Sequence, residues 1–153
     1  MQQIARPASN TTAALIKIDS LNLLLPQGEI RTLESSSDVD LSEPALHSTG
    51  WVTYLQKRWP VYCLSEALEL MNAVPAERRA CAMLAMGAGY IGIMCDDMIV
   101  LKNFTAQRYE LPAAMRLPDT PIMYLAGYEQ DIASVSTANR LTAYLGQLLE
   151  QNR

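Results

Sequence analysis

The chain has 153 residues, of which 50% are hydrophobic and 18% are charged, and its formal net charge is −4. This length suffices for one domain with a substantial core, and the composition excludes a wholly disordered protein. Proteins that bind nucleic acid or an anionic membrane surface usually carry a basic excess, so the acidic balance argues against both partners.

The start of the sequence lacks the charged segment and apolar run of a signal peptide, and no apolar stretch approaches the ~20 residues of a membrane helix. Three cysteines, Cys63, Cys81 and Cys95, lie far apart in the sequence. An odd number of thiols without an export signal indicates a reducing compartment. We therefore expect a cytoplasmic protein that is not inserted in a membrane.

Residues 1–12 are polar and aperiodic, which predicts a flexible N-terminal tail before a single domain at residues 13–153. Short apolar or alternating runs then predict strands separated by turns. These strands lie at residues 13–18, 21–25, 29–33, 51–55, 58–64, 80–86, 90–95, 98–101, 122–128 and 132–135. Many short strands with frequent turn signals indicate a mainly β protein, built as a small barrel or a pair of barrels.

The clearest predicted hairpin has apolar arms at residues 80–86 and 90–95, with a Gly-Ala-Gly tip centred on Ala88. Glycine supplies the positive φ angles that a tight reversal needs. Because both arms are apolar on both faces, we expect this hairpin at the centre of the fold. A tip centred on Ala88 would place Cys81 opposite Cys95, whereas a shift of one residue would separate them and leave two buried, inert thiols.

Two segments have the signals of a helix. Ser65 can cap a short middle helix that ends before Pro75, and a longer C-terminal helix begins after Ser136 or Thr137 and runs to about Gln151. The longer segment carries an apolar stripe at helical spacing, formed by Ala138, Leu141, Leu145, Leu148 and Leu149.

Four parts of the sequence, taken in order, resemble the CheW-like domain of bacterial chemosensory systems. They are LLLPQGEIRTL at 23–33, GWVTYL at 50–55 with WPVYCL at 59–64, YIGIMCDDMIVL at 90–101, and the stretch at 121–145. The second resembles the family's G-v-i-n-l-R-G-x-x-x-P-V-x-D-L signature. The third resembles its v-G-l-x-V-D-x-V-x-x-V segment, in which Gly92 and Asp96 match. The resemblance spans roughly residues 13–148.

This resemblance implies two interlocked five-stranded SH3-like barrels with a shared core, to which the helix signals add a short middle helix and a C-terminal helix. It implies no catalysis and no cofactor. It implies an adaptor that links a chemoreceptor-like protein to a chemotaxis-type histidine kinase, or to a pilus-type equivalent. Exposed strand edges carry unpaired backbone groups that suit such contacts between proteins.

The resemblance also indicates which residues would bind partners. They are Ile30 and Thr32 on the early strand, and Tyr54, Leu55, Gln56 and Lys57 at the turn of the signature. Where the family has Asn-Leu-Arg-Gly, this chain has Thr-Tyr-Leu-Gln, so Leu55 stands at the arginine position. Arginine donates several directed hydrogen bonds and leucine donates none. The sequence therefore predicts a preserved scaffold with a rewritten contact surface.

Catalytic and metal chemistry find little support in the sequence. Cys63 with His47 would make a nucleophile and a base, and Asp96 with Asp97 would make part of a metal site. No oxyanion donor and no further acidic cluster accompanies either pair. We therefore predict neither a catalytic site nor a metal site.

Two alternatives to the adaptor stay open at this point. The basic pairs Lys57-Arg58 and Arg78-Arg79 could bind an anion, which would make the domain a sensor of a nucleotide or another small ligand. The domain could also be a self-assembling component of an array.

Overall fold

A computed structural model describes residues 11–42, 48–104 and 106–151 of the chain. In order, these form the strands Thr11–Ile18 (β1), Leu21–Pro26 (β2), Ile30–Ser35 (β3), Val39–Asp40 (β4), Gly50–Tyr54 (β5), Lys57–Tyr62 (β6), Ala80–Met86 (β7), Gly89–Cys95 (β8), Asp97–Phe104 (β9), Gln107–Tyr109 (β10), Tyr124–Tyr128 (β11) and Asp131–Val135 (β12), and the helix Ala138–Gln151 (α1). Short 3₁₀ turns lie at Gln27–Glu29, Ser36–Asp38 and Ala113–Met115. The prediction of a mainly β protein with a C-terminal helix is confirmed. Within the described ranges, no helix has the length and apolarity to cross a membrane.

The strands form two six-stranded sheets with the same spatial arrangement, although the hairpin comes first along the chain in one sheet and last in the other. Sheet A has the order β10-β11-β12-β2-β1-β9, and sheet B has the order β4-β5-β6-β8-β7-β3. In each sheet an antiparallel three-stranded meander joins a hairpin through a parallel pair, β12 with β2 and β6 with β8. All of sheet B lies in the chain between β2 and β9, so the two units are interlocked. The strands beyond the expected five include the two shortest, β10 and β4.

Three clusters of buried side chains stabilise this arrangement. The largest lies between the sheets and beneath α1, and it contains Ile16 and Leu23 of sheet A, Leu84 of sheet B and Leu141 of the helix. A second cluster belongs to sheet A alone and a third to sheet B alone. Side chains of β9 and β11 contact the same second cluster although three strands separate them, so sheet A curves around it. The prediction of a shared core is confirmed.

The hairpin of β7 and β8 lies at the centre of sheet B, as predicted, with β3 on one side and β6 on the other. Its turn consists of Gly87 and Ala88, and Gly87 has a φ of 57°. The strand register pairs Cys81 with Met94, so Cys81 and Cys95 do not oppose each other. Cys81 packs in the core of sheet B and Cys95 in the shared core, and both are buried free thiols.

The predicted middle helix after Ser65 is not formed, and this prediction was wrong. The amide of Ser65 donates to the carbonyl of Glu69 at 2.8 Å, and its hydroxyl accepts the amide of Glu69 at 3.2 Å. Leu68 has a φ of 62°, which a right-handed helix excludes, and Leu64 then pairs with Leu70. The capping signal is thus satisfied within a single turn, which buries Leu68 in the shared core.

The predicted tail at 1–12 falls mostly outside the described residues. Thr11 and Thr12 nevertheless belong to β1, where Thr11 pairs with Phe104 of β9. The ordered domain therefore begins at least two residues before the predicted boundary, because backbone pairing with β9 continues past the apolar run.

Helix α1 follows its predicted pattern. Ala138, Leu141 and Leu145 are buried against the sheets. The Thr137 hydroxyl accepts the amide of Arg140 at 3.1 Å, and a carboxylate oxygen of Glu29 accepts the amide of Ala138 at 2.6 Å. The first turn of the helix is therefore capped from within the helix and from the segment before β3.

One buried guanidinium joins the two sheets. Arg78 precedes β7, and its side chain is fully buried. It donates two hydrogen bonds to the carboxylate of Asp19 in the β1–β2 turn, at 3.0 and 3.1 Å. It donates one more to Asp96 between β8 and β9 at 2.8 Å, and one to the carbonyl of Leu64 at 3.0 Å. The two acids are also connected, since the amide of Asp19 donates to Asp96 at 2.7 Å. Hydrogen bonding to Arg78 lowers the pKa of Asp19.

Replacing Arg78 with Met should destabilise the domain by about 2–3 kcal/mol at neutral pH, because two carboxylates lose their cation. This is less than the roughly 3–5 kcal/mol of fully buried pairs, since both carboxylates are partly exposed and can rehydrate. A carboxylate whose pKa is lowered by folding contributes stability above its unfolded-state pKa, and this is lost as the pH falls through its folded-state pKa. The difference between wild type and Arg78→Met should therefore shrink below about pH 4. Denaturant unfolding at a series of pH values measures it.

Arg79→Met is the matched control, because Arg79 is exposed. It should change the free energy of unfolding by less than about 0.5 kcal/mol. Equal effects of the two substitutions, or a pH-independent difference for Arg78→Met, would contradict the role assigned to Arg78.

A second prediction concerns the parallel pair of β6 and β8 in sheet B. A Cβ atom on Gly92 of β8 would lie 2.6 Å from the sulfur of Cys81 and 2.9 Å from a methyl group of Val61. Gly92→Ala should therefore lower the free energy of unfolding by about 1–3 kcal/mol through overpacking. Gly146→Ala in α1 has open space around the new Cβ and should raise it by about 0.5–1 kcal/mol. If Gly92→Ala and Gly146→Ala shift the Tm in the same direction, this explanation of Gly92 is wrong.

Candidate functional site

The residues that the resemblance assigned to partner contacts lie at one end of sheet B. Because β6 is parallel to β8 and β3 is antiparallel to β7, the β5–β6 turn, the β7–β8 turn and the start of β3 share that end. Three strand spacings, about 14 Å, separate β3 from β6. The six residues therefore form two patches, Ile30 with Thr32 on β3, and Tyr54, Leu55, Gln56 and Lys57 at the β5–β6 turn.

On β3, buried or half-buried side chains alternate with exposed ones along the strand. The register shifts between Ile30 and Thr32, so that Thr32 pairs with Met83 and is half-buried. Ile30 is only 8% exposed and packs in the shared core, which limits any direct contact through its side chain. Leu33, on this edge strand, is 40% exposed. Sequence reasoning missed Leu33, although alternation from the buried Ile30 places it on the outer face of the strand.

The β5–β6 turn consists of two residues in the left-handed conformation. Leu55 has a φ of 52° and Gln56 a φ of 67°, while Tyr54 and Lys57 pair at the ends of the strands. The turn therefore begins one residue earlier than predicted from Gln56-Lys57. This backbone favours Asn-Gly, and a leucine in it costs about 1–2 kcal/mol. Leu55 is also 63% exposed, so its side chain gains little packing in return.

Three aromatic rings support this turn from the side of the sheet B core. The Tyr90 ring of β8 makes edge contacts with the rings of Tyr54 at 5.0 Å and Trp59 at 5.3 Å. The indole N–H of Trp59 donates to the carbonyl of Tyr54 at 3.0 Å, directly before the turn. Ring packing and this hydrogen bond fix the backbone on which Leu55 is presented.

In the two basic pairs proposed as anion sites, Arg58 and Arg78 already contact other groups of the protein. Lys57 and Arg58 are consecutive in a strand and point to opposite faces. The Arg58 guanidinium lies 5.0 Å from the Trp51 ring centroid and 3.5 Å from a carboxylate oxygen of Asp40. Arg78 is buried and bound within the protein. The side chain of Arg78 is therefore not available to a ligand, and the sensor hypothesis requires a different residue.

The proposed nucleophile and metal ligands do not form a reactive site within the described ranges. Cys63 is fully buried, and burial raises the pKa of its thiol, whereas a nucleophilic cysteine needs a lowered pKa. His47 lies outside the described residues. Asp96 is bound to Arg78, and Asp97 accepts the amide of Met98 at 2.8 Å. In the part of the chain that the structure describes, no group of three or more His, Cys, Asp or Glu could hold a metal ion.

Known structures supply a comparison for this architecture. The crystal structure of the scaffolding protein TtCheW from Thermoanaerobacter tengcongensis is similar, with a TM-score of 0.65 over 86% of this chain and 92% of that chain. The chain has the CheW-like fold. The sequence identity is 10%, so the likeness concerns the fold, and the resemblance drawn from the sequence is confirmed for a divergent CheW-like domain. No family model matches the sequence, and no curated protein matches it.

The strain in the β5–β6 turn predicts an unusual gain of stability. The double substitution Leu55→Asn with Gln56→Gly places the residues that this turn favours, and it should raise the free energy of unfolding by about 1–2 kcal/mol. Glu129→Gly should also stabilise, since Glu129 has the same φ of 52° as Leu55. Leu117→Asn changes a loop leucine with 61% exposure and should have no such effect. If the double variant gains nothing in chemical denaturation, the turn is not strained.

Proposed function

We propose that this chain is a non-enzymatic adaptor of a bacterial chemosensory system. As a single cytoplasmic CheW-like domain at residues 13–153, extended to Thr11 by β1, it links a chemoreceptor-like protein to a chemotaxis-type histidine kinase, or to their pilus-type equivalents. The similar structure is that of a scaffolding protein, which supports the adaptor role.

The β5–β6 turn is the observation that carries the proposal. An exposed leucine in a strained backbone, held rigidly by three aromatic rings, weakens the domain and has no use within it. Strain of this kind persists at sites where a surface must be presented in one conformation. Leu55 is therefore an apolar anchor for a partner protein, and Gln56 and Lys57 form its polar rim.

The chemistry of the turn indicates what its partner should offer. An apolar pocket would receive Leu55, and an acidic side chain at the rim of that pocket would pair with Lys57. A partner surface that binds the arginine of the family would not suit Leu55. We therefore expect a receptor or kinase that is specific for this chain.

The edge strand β3 offers a second contact on the same end of the sheet. No other strand in the described ranges pairs with its outer edge, and Thr32 and Leu33 belong to this strand. The distance between the two patches, about 14 Å, allows two partners or two parts of one partner to bind together. Ile30 would act mainly by supporting this edge from the core.

The test measures binding of the purified chain to the cytoplasmic part of a chemoreceptor-like protein and to the regulatory domain of a chemotaxis-type kinase encoded in the same genome. Leu55→Asn with Gln56→Gly should weaken one of these complexes at least tenfold, while it raises the stability of the free domain. Opposite effects on stability and binding separate a lost contact from a damaged fold. Isothermal titration calorimetry gives the affinity.

Leu117→Asn is the control, because it removes an equally exposed leucine far along the chain from the turn. It should leave both affinities unchanged. Absence of binding to either partner, or equal losses from the Leu117 and Leu55 variants, would refute the proposal.

A further inference from the structure

The two sheets share a spatial arrangement of strands but fill their own cores differently. The core of sheet B contains large side chains, among them Met83, Met94, Trp59 and Tyr90. The corresponding core of sheet A contains four alanines, Ala13, Ala106, Ala126 and Ala133, beside larger side chains such as Leu15 and Tyr124. Small side chains on a curved sheet leave space that larger ones would occupy.

A cavity of about 250 Å³ lies against this alanine-rich face of sheet A. Three of the alanines line it, together with Leu24 and Val135. This volume is slightly below the range of drug-sized sites, roughly 300–1,000 Å³, so it suits a smaller molecule. The walls are mainly apolar, so the body of a ligand in it should be apolar as well.

Arg108 of β10 is the only charged residue among the thirteen described residues that line the cavity. It pairs with Ala126 across the sheet, so its side chain points to the same face as that alanine. The guanidinium lies 4.4 Å from the ring centroid of Tyr124, which fixes its plane. Its Nε atom is buried and has no hydrogen-bond acceptor among the described residues.

Arg108 lines the cavity, so a ligand in it can pair with the N–H groups of the guanidinium that face this space. Carboxylates fit best, because their two oxygens match two parallel N–H groups of arginine. A single positive charge in apolar walls favours a monoanion over a phosphate dianion. Thr137 also lines the cavity, and its hydroxyl accepts the amide of Arg140.

We propose that this cavity binds a small organic monocarboxylate with an aromatic or branched aliphatic body. The carboxylate pairs with Arg108, and the body occupies the space beside Ala106 and Ala126. This site lies on sheet A, whereas the partner contacts proposed above lie on sheet B, so either proposal can fail without the other.

The test is a thermal shift assay on the full chain with benzoate and isovalerate, each compared with its neutral amide at equal ionic strength. An acid at ten times its Kd should raise the Tm by about 3–6 °C, and the amides should raise it by less than about 1 °C. Ligand-observed NMR should detect the acids and not the amides. If neither acid at about 10 mM shifts the Tm or gives an NMR signal of binding, the proposal is overturned. Equal binding of acids and amides would also overturn it.

Variants locate the site. Arg108→Met should weaken binding at least about tenfold, since it removes a charge-assisted pair. Ala126→Leu keeps Arg108 but fills the cavity, and it should also abolish binding, which tests the site even if Arg108→Met does not fold. Arg58→Met is the matched control, because Arg58 also stacks on an aromatic ring but is already paired with Asp40. Unchanged binding in Ala126→Leu, or an equal loss in Arg58→Met, would place the ligand elsewhere.

Discussion

The buried contacts of Arg78 are the constraint on which the arrangement of the two sheets depends. Asp96 lies where the chain passes from sheet B back to sheet A, and Asp19 lies in the hairpin turn of sheet A. Arg78 reaches both from sheet B. A buried guanidinium that loses its partners is strongly unfavourable, so these contacts form only when the sheets are correctly placed. The shared apolar core supplies most of the favourable free energy of folding. We infer that the ion pairs select one relative placement of the sheets among those that an apolar interface alone would allow.

The repeated arrangement of strands shows how little sequence similarity a sheet architecture needs. Each sheet joins a meander to a hairpin through one short parallel pair, yet the sequence contains no visible repeat. The parallel pair in sheet B requires Gly92, because Cys81 and Val61 occupy the space of a side chain. Elsewhere, the alternation of apolar and polar residues is sufficient to form the strands. The core of sheet A and the core of sheet B can therefore differ in sequence. Buried methionines fill one, and four buried alanines leave the other partly open.

Sequence patterns predicted most strands and the C-terminal helix, because these elements depend on periodic burial. They failed where the same residues are compatible with two local conformations or two strand registers. Gly87, Ala88 and Gly89 allow either of two registers, and packing chose the one that sends Cys81 and Cys95 into different cores. Ser65 can cap a helix or close a turn, and the burial of Leu68 selected the turn. The exposure of Leu33 follows from the alternation of β3 once Ile30 is placed inside, whereas the role of Arg108 depends on a cavity that leaves no signal in the sequence.

Two features of the chain depart from what stability alone would select. A leucine at the β5–β6 turn could be replaced by residues that suit its backbone, and the alanines of sheet A could be replaced by larger side chains. Natural folds are locally consistent, so such departures concentrate where a surface or a space is used. The turn belongs to sheet B and the cavity to sheet A, and a partner protein at one does not compete for space with a ligand at the other. Any influence between the two sites would have to pass through the shared core and the Arg78 contacts, since these are what the sheets have in common.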